Sequence, residues 1–193
     1  VSAQVAQRSP VTLTAKRASA NSVSENDTWF EVVFQEHWQR VYGLLFRLVG
    51  DHAEAEDLAL ETFWRLYDQQ PSFANEHQLN GWLYRVATNL GFNALRARKR
   101  RQHYEGQAGH QVLDEKPVFN PDAEFDREQE RQQVRLALTE MNPRSAKLLI
   151  LRHSGFSYAE IAGTLGIAPG SVGTLLARAE DEFEARYGSS GGG

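Results

Sequence analysis

Arg85, Asn89, Asn93, Arg96 and Arg100 recur three or four residues apart, and their segment ends in Arg98-Lys99-Arg100-Arg101. On a helix these side chains form one row. Guanidinium groups and amides in a row hold phosphates and read base edges; they are poorly suited to making or breaking bonds. Cations near a helix C-terminus also suit the macrodipole, but that needs only one or two charges. Residues 96–101 carry five and no acid. A solvated basic helix end is the competing reading. Bond chemistry finds no support elsewhere in the chain. The six histidines (His37, His52, His77, His103, His110 and His153) are scattered without paired ligand spacing, and cysteine is absent. No nucleophile–base pair stands out, so no enzyme activity, metal or other cofactor is expected.

A second row lies upstream. At helical spacing Glu54, Asp57, Glu61, Arg65 and Asp68 share one narrow stripe, while Ala55, Ala59, Phe63, Leu66 and Tyr67 form a face wide enough for a core. Leu58 lies along one edge of the charged stripe, with Leu60 and Trp64 along the other. A mainly acidic stripe bordered by large apolar side chains suits a surface that meets another protein. An over-hydrophobic bundle helix fits this segment, taken alone, equally well.

The elements that position these rows follow from helix punctuation. Residues 1–27 lack sustained periodicity and read as a flexible tail. Thr28-Trp29-Phe30-Glu31 matches a capping box, and the helix it would open carries Phe30, Phe34, Trp38, Val41, Leu45 and Leu48 on one side. Gly50 ends that helix; Asp51 and Glu54 cap the acidic one, which Pro71 closes. A loop from Ser72 to Asn80 leads to the helix from Trp82 to Arg101, whose buried stripe is Leu83, Val86, Ala87, Leu90 and Ala94.

Residues 102–127 hold Gly106, Gly109, Pro117 and Pro121 among mixed charges, which is linker composition. A second domain spans 128–187. Its first helix carries Val134, Leu138 and Met141. Asn142-Pro143 starts another, which buries Ala146, Leu149 and Ile150. Ser157-Tyr158-Ala159-Glu160 is a capping box for a short helix that ends at Gly166. Ser171 caps the last helix. Ala162, Gly166 and Val172 have the spacing a helix-turn-helix needs. The tail 188–193 has flexible-linker composition. The expected fold is all-α: two small helical domains joined by a flexible linker, the C-terminal one a helix-turn-helix.

Charge bears on function. At −4 the chain is acidic overall, with its positive charge gathered on one helix end. Free-standing DNA binders draw most of their affinity from phosphate neutralisation and are usually basic. This chain should bind duplex DNA poorly alone and needs a large partner. No apolar run approaches the ~20 residues of a membrane span, and the first residues lack a signal peptide's charged start and apolar core. A cytoplasmic location is expected, and the lack of cysteine agrees with a reducing compartment.

In order and spacing, the acidic-aromatic helix, the Trp82-Leu83-Tyr84-Arg85-Val86-Ala87-Thr88-Asn89-Leu90 helix with its basic end, the linker and the helix-turn-helix resemble a bacterial sigma factor. More narrowly, they resemble the extracytoplasmic-function class of the sigma-70 family, from about Trp29 to Tyr187. The resemblance implies that 28–101 is region 2 and 128–187 is region 4. It implies docking of Asp57, Leu58, Glu61, Thr62, Phe63 and Leu66 on the clamp helices of the largest subunit of core RNA polymerase, to which the stripe adds Trp64 and Arg65. It implies that Arg85, Asn89, Asn93 and Arg96 approach bases of a −10 element, with Arg98, Lys99 and Arg100 on phosphates. Phe73, Asn75 and His77 would wall a pocket for an unpaired base. Ser171, Thr174 and Arg178 would face a −35 element, with the C-terminal domain near the polymerase flap. Many family members are also held by an anti-sigma factor.

The last helix departs from the family pattern. Gly173 and Leu175 stand where lysine and arginine are common, and Glu180, Asp181, Glu182 and Glu184 make its far end acidic, which is unfavourable for the dipole. Either −35 contact is weak or unusually apolar, or this end binds a protein. Two other classes of function remain in view: a stand-alone helix-turn-helix regulator that binds an operator as a symmetric dimer, and an adaptor that only binds proteins.

Overall fold

The computed structural model of the chain describes residues 20–107 and 121–190. Among these, all regular structure is helical: α1 (Ala20–Val49), α2 (His52–Gln69), α3 (Glu76–Gln107), α4 (Pro121–Glu140), α5 (Pro143–His153), α6 (Tyr158–Leu165), a 3-10 turn (Pro169–Ser171) and α7 (Val172–Ser190).

Helices α1, α2 and α3 pack on one another. Val41, Leu44, Leu45 and Leu48 of α1 are fully buried against Phe63 and Leu66 of α2 and Leu83 and Phe92 of α3. Burying a side chain of this size removes about 1.5–3 kcal/mol of unfavourable hydration, and the cluster fixes the rotation of α2 and α3 about their axes. Along α1, Phe30, Phe34, Trp38, Tyr42 and Phe46 recur every four residues, and each ring lies 5.0–6.2 Å from the next. This ridge meets α2 where Phe63 lies 4.8 Å from Phe34.

Caps set the element ends. The Asp51 side chain accepts the Glu54 amide at 2.7 Å and starts α2, and Gln70, with φ at 41°, closes it. Asn142 accepts the Arg144 amide at 2.9 Å, with Pro143 at the first turn of α5. The Ser157–Glu160 capping box is complete at the start of α6. Gly166, at φ 64°, ends α6 in the left-handed region that favours glycine. Helices α5, α6 and α7 bury Leu148, Leu151, Phe156, Ile161, Val172 and Leu176, with α4 against α7.

Several element bounds differ from those read in the sequence. The first helix begins upstream at Ala20, so Thr28 lies inside it and does not mark its start. Asn75 starts α3 by accepting the Gln78 amide at 3.0 Å, so residues 76–80 are helical and not loop. Residues 102–107 extend α3 and 121–127 belong to α4, leaving 108–120 of the expected linker outside the described residues. Residues 188–190 continue α7.

The two helical sets also meet. The short α6 crosses α3, and α4 and α5 touch α3 and α1. Tyr84 and Phe156, both fully buried, stack edge to face at 4.5 Å between them.

Candidate functional site

On α2 the core takes one side and leaves a mixed surface on the other. Asp57 is exposed, Glu61 and Arg65 pair at 2.8 Å one turn apart, and Leu58 is half-buried. Trp64 is 59% exposed, and Leu60 and Tyr67 also reach solvent. A large indole that exposed on a helix whose core demand is already met is unfavourable unless something covers it. Tyr67 was expected in the core. It leans instead against Phe30 at 5.2 Å, with its hydroxyl 3.5 Å from Asp27.

Three residues expected at the polymerase surface are not on it. Thr62, Phe63 and Leu66 are buried. Thr62 returns its hydroxyl to the Leu58 carbonyl at 2.8 Å, and Phe63 lies under Phe34 and Trp38. They hold the helix that presents Asp57, Leu58, Glu61, Trp64 and Arg65. Leu60 was noted as an edge residue but not among the contacts; its exposure adds it to this surface, and so does that of Tyr67.

Arg85, Asn89 and Asn93 project from one side of α3, with Arg96, Lys99 and Arg100 continuing the row. Arg96, Lys99, Arg100 and Tyr104 line an open cleft of about 320 Å³ with Thr139 of α4. Lys147 lies close enough to Arg96 for its pKa to be lowered, by burial first and by that neighbouring cation second. Crowded cations of this kind suit an anion.

Arg98 has another task. It donates to the Val49 carbonyl at 2.8 Å and pairs with Glu54, so it ties α3 to the α1–α2 turn and is not free to hold a phosphate. The expected base pocket is also rearranged. Phe73 is buried edge-on against Trp82 at 6.1 Å, and Asn75 serves as the α3 cap. His77 faces Gly163 of α6. These three do not form an open wall.

Ser171, the last residue of the 3-10 turn, and Thr174 and Arg178 of α7 are exposed, while Val172, Leu176 and Ala179 face inward. The acidic far end is partly explained. Glu182 accepts the Asn142 amide at 2.6 Å, and this bond leads the causes that lower its carboxyl pKa. It caps the start of α5 with a charge favourable to that helix dipole. No local pattern announces this contact, because the partners lie forty residues apart.

No helix among the described residues is long and apolar enough to cross a membrane, and no cluster of metal-ligating side chains occurs there.

Sigma-70 region 2 matches residues 33–101, and Sigma-70, region 4 matches residues 131–182. The chain is 32% identical over 159 residues to the ECF RNA polymerase sigma factor SigE of Mycolicibacterium smegmatis, covering 81% of this chain and 60% of that one. It therefore spans less than two thirds of that relative's length. To the RNA polymerase sigma-E factor of Streptomyces avermitilis it is 30% identical over 150 residues, covering 72% of this chain and 76% of that one. The solved structure of CnrH in complex with the cytosolic domain of CnrY has the same fold, with a TM-score of 0.55 at 17% identity, over 86% of this chain and 92% of that one. The chain belongs to the extracytoplasmic-function class of the sigma-70 family.

Proposed function

We propose that this chain is a promoter-recognition subunit. It binds core RNA polymerase, recognises −10 and −35 elements, and assists strand opening to start transcription. The observation that carries this reading is the outer surface of α2. Asp57 and Glu61 stand beside exposed Leu60, Trp64 and Tyr67, on a helix already anchored by Phe63 and Leu66. Supporting it, that helix lies within residues 33–101, which resemble Sigma-70 region 2. The clamp helices of the largest subunit are the partner of this surface, and the flap region is the partner of the C-terminal domain. The work takes place in the cytoplasm, where an anti-sigma factor is a further partner of the kind common in the family.

Arg85, Asn89, Asn93 and Arg96 approach bases of the −10 element, and Lys99 and Arg100 neutralise phosphates. Flipping a base out of the duplex costs a few kcal/mol, offset by stacking and hydrogen bonds in its new site. Ser171, Thr174 and Arg178 contact upstream DNA. The polymerase carries out the bond chemistry.

The test is transcription by purified core polymerase on genomic DNA fragments, with and without this protein, mapping new 5′ ends. New starts sharing a −10 and a −35 element establish the reading. A shared −10 alone means that the acidic α7 has lost upstream discrimination. Polymerase binding without new starts favours an adaptor, and neither binding nor starts favours a stand-alone regulator.

A further inference from the structure

The cleft between α3 and α4 holds more positive charge than its surroundings balance. Arg96, Arg100 and Tyr104 stand four residues apart along α3, and with Lys99 and Thr139 they line an opening of about 320 Å³. Lys99 pairs with Glu140 of α4 at 2.8 Å, which ties the two walls together. Among the described residues, Arg96 and Arg100 enter no ion pair. The Arg96 guanidinium lies 5.9 Å from the ring centre of Phe92, one turn back, which holds it in place.

A third cation, Lys147 of α5, donates to the Asn89 side-chain oxygen. Burial first, and Arg96 second, lower its pKa. Like charges gathered without a counter-ion repel one another. An anion in the cleft would relieve that repulsion.

The other lining groups narrow the class of anion. Tyr104 is 68% exposed, so solvent reaches its ring at the end of the Arg96–Arg100 row and a flat partner can stack there. Thr139 gives its hydroxyl hydrogen to the Leu136 carbonyl at 2.6 Å, which leaves oxygen lone pairs for a donor in the cleft. An aromatic face, a hydroxyl acceptor and two guanidiniums match the base, sugar hydroxyls and phosphates of a nucleotide. The volume is at the small end of ligand sites, which suits one nucleotide and not a duplex.

We propose that this cleft binds a free nucleoside polyphosphate, whose phosphates pair with Arg96 and Arg100 while its base stacks on Tyr104. Because both arginines are assigned to the −10 element, the bound nucleotide competes with promoter DNA. That competition rests on the proposed role of α3 in binding DNA; the site itself does not.

Equilibrium dialysis of the full chain against radiolabelled ATP tests the site, with EDTA present so that no metal ion bridges the phosphates. Tripolyphosphate and adenosine serve as competitors. The expected result is saturation at one ATP per chain, with tripolyphosphate competing more weakly than ATP and adenosine weakest. Arg100→Gln should weaken ATP and tripolyphosphate alike, by roughly tenfold. Tyr104→Ala should weaken ATP by about fivefold or more and leave tripolyphosphate unchanged, while Tyr104→Phe keeps ATP binding. Both positions are exposed, so these variants should fold. Arg144→Gln, at an exposed position on α5, should change nothing.

Equal affinity for ATP and tripolyphosphate, or a Tyr104→Ala chain that binds ATP as before, overturns the nucleotide assignment. No saturation at millimolar ATP, or equal losses from Arg144→Gln and Arg100→Gln, overturns the site. ATP at ten times its Kd should lower the affinity of the polymerase complex for promoter DNA about tenfold, and less in Tyr104→Ala. An affinity that ATP does not move overturns the competition and leaves the dialysis result standing. Failure of the transcription assay removes the competition together with the proposed function, while dialysis still decides the site.

Discussion

Arg40 Nη1 lies 2.6 Å from Glu160 Oε1, while the other oxygen of the same carboxylate caps α6 through the Ser157 amide at 2.8 Å. One side chain thus starts a helix of the C-terminal domain and fastens that helix to α1 of the N-terminal domain. Burial works against the charge on Glu160, yet the hydrogen bonds from Arg40 and Ser157 hold its carboxyl at about 2, below the usual 4.5. A lowered folded value means stabilisation that is complete above 4.5 and is lost as pH falls toward 2. The wild type should therefore lose thermal stability and interdomain contact over that interval. Glu160→Gln, which can still close a capping box, should show a flatter profile. Melting and scattering across pH 2–6 check this, and parallel profiles count against it.

Trp64→Ala and the pair Asp57→Lys/Glu61→Lys should weaken core polymerase binding, by roughly thirtyfold or more for the indole if it is a hot spot. Melting temperature should barely move, because these side chains are largely solvated. Phe63→Ala should instead cost about 3–5 kcal/mol of stability. Equilibrium binding to core polymerase beside thermal melts separates the two; equal effects of Trp64→Ala and Phe63→Ala on stability would remove the distinction drawn for α2.

Arg98 and Arg100 are two residues apart in sequence and should behave differently. Arg100→Ala should weaken promoter binding by the polymerase complex and reduce its salt slope by about one, with stability unchanged. Arg98→Ala leaves the Val49 carbonyl and Glu54 without their partner, and should lower stability by about 1–3 kcal/mol with the salt slope intact. Salt titrations of promoter binding and denaturant melts decide between these assignments.

The Glu182–Asn142 contact predicts a structural cost for improving α7 as a DNA reader. Glu182→Lys adds the cation typical of nucleic-acid faces but removes the α5 cap and puts like charge at a helix start, so it should destabilise by about 0.5–2 kcal/mol. Glu184→Lys, exposed and bonded to no α5 amide in the same way, should be tolerated. Chemical denaturation of both variants measures the difference.

Helix order, the α2, α5 and α6 caps and both charged rows were legible because each depends on neighbours within four or five residues. Asp51, Asn142 and the Ser157–Glu160 box all cap the helices assigned to them. Thr28 failed as a start because a box motif says nothing about whether helix already precedes it, and α1 reaches back to Ala20. The motif implied polymerase contact for Thr62, Phe63 and Leu66, which are buried; Phe63 and Leu66 already stood on the core face of the helix, and motif residues can serve by holding a helix in place. The crossing of α6 on α3 was illegible: it joins residues about eighty positions apart, through carbonyls that every residue carries. Two glycines inside helices, at 81 and 163, were the only local sign, and single helical glycines have many causes.

Ser171 of the 3-10 turn and Thr174 and Arg178 of α7 remain at the surface, while Arg85 and Asn89 are held by α6 and α5. The two sets of polar side chains therefore stand in different settings: those at the C-terminal helix meet solvent alone, whereas those of α3 share their hydrogen-bonding capacity with neighbouring helices.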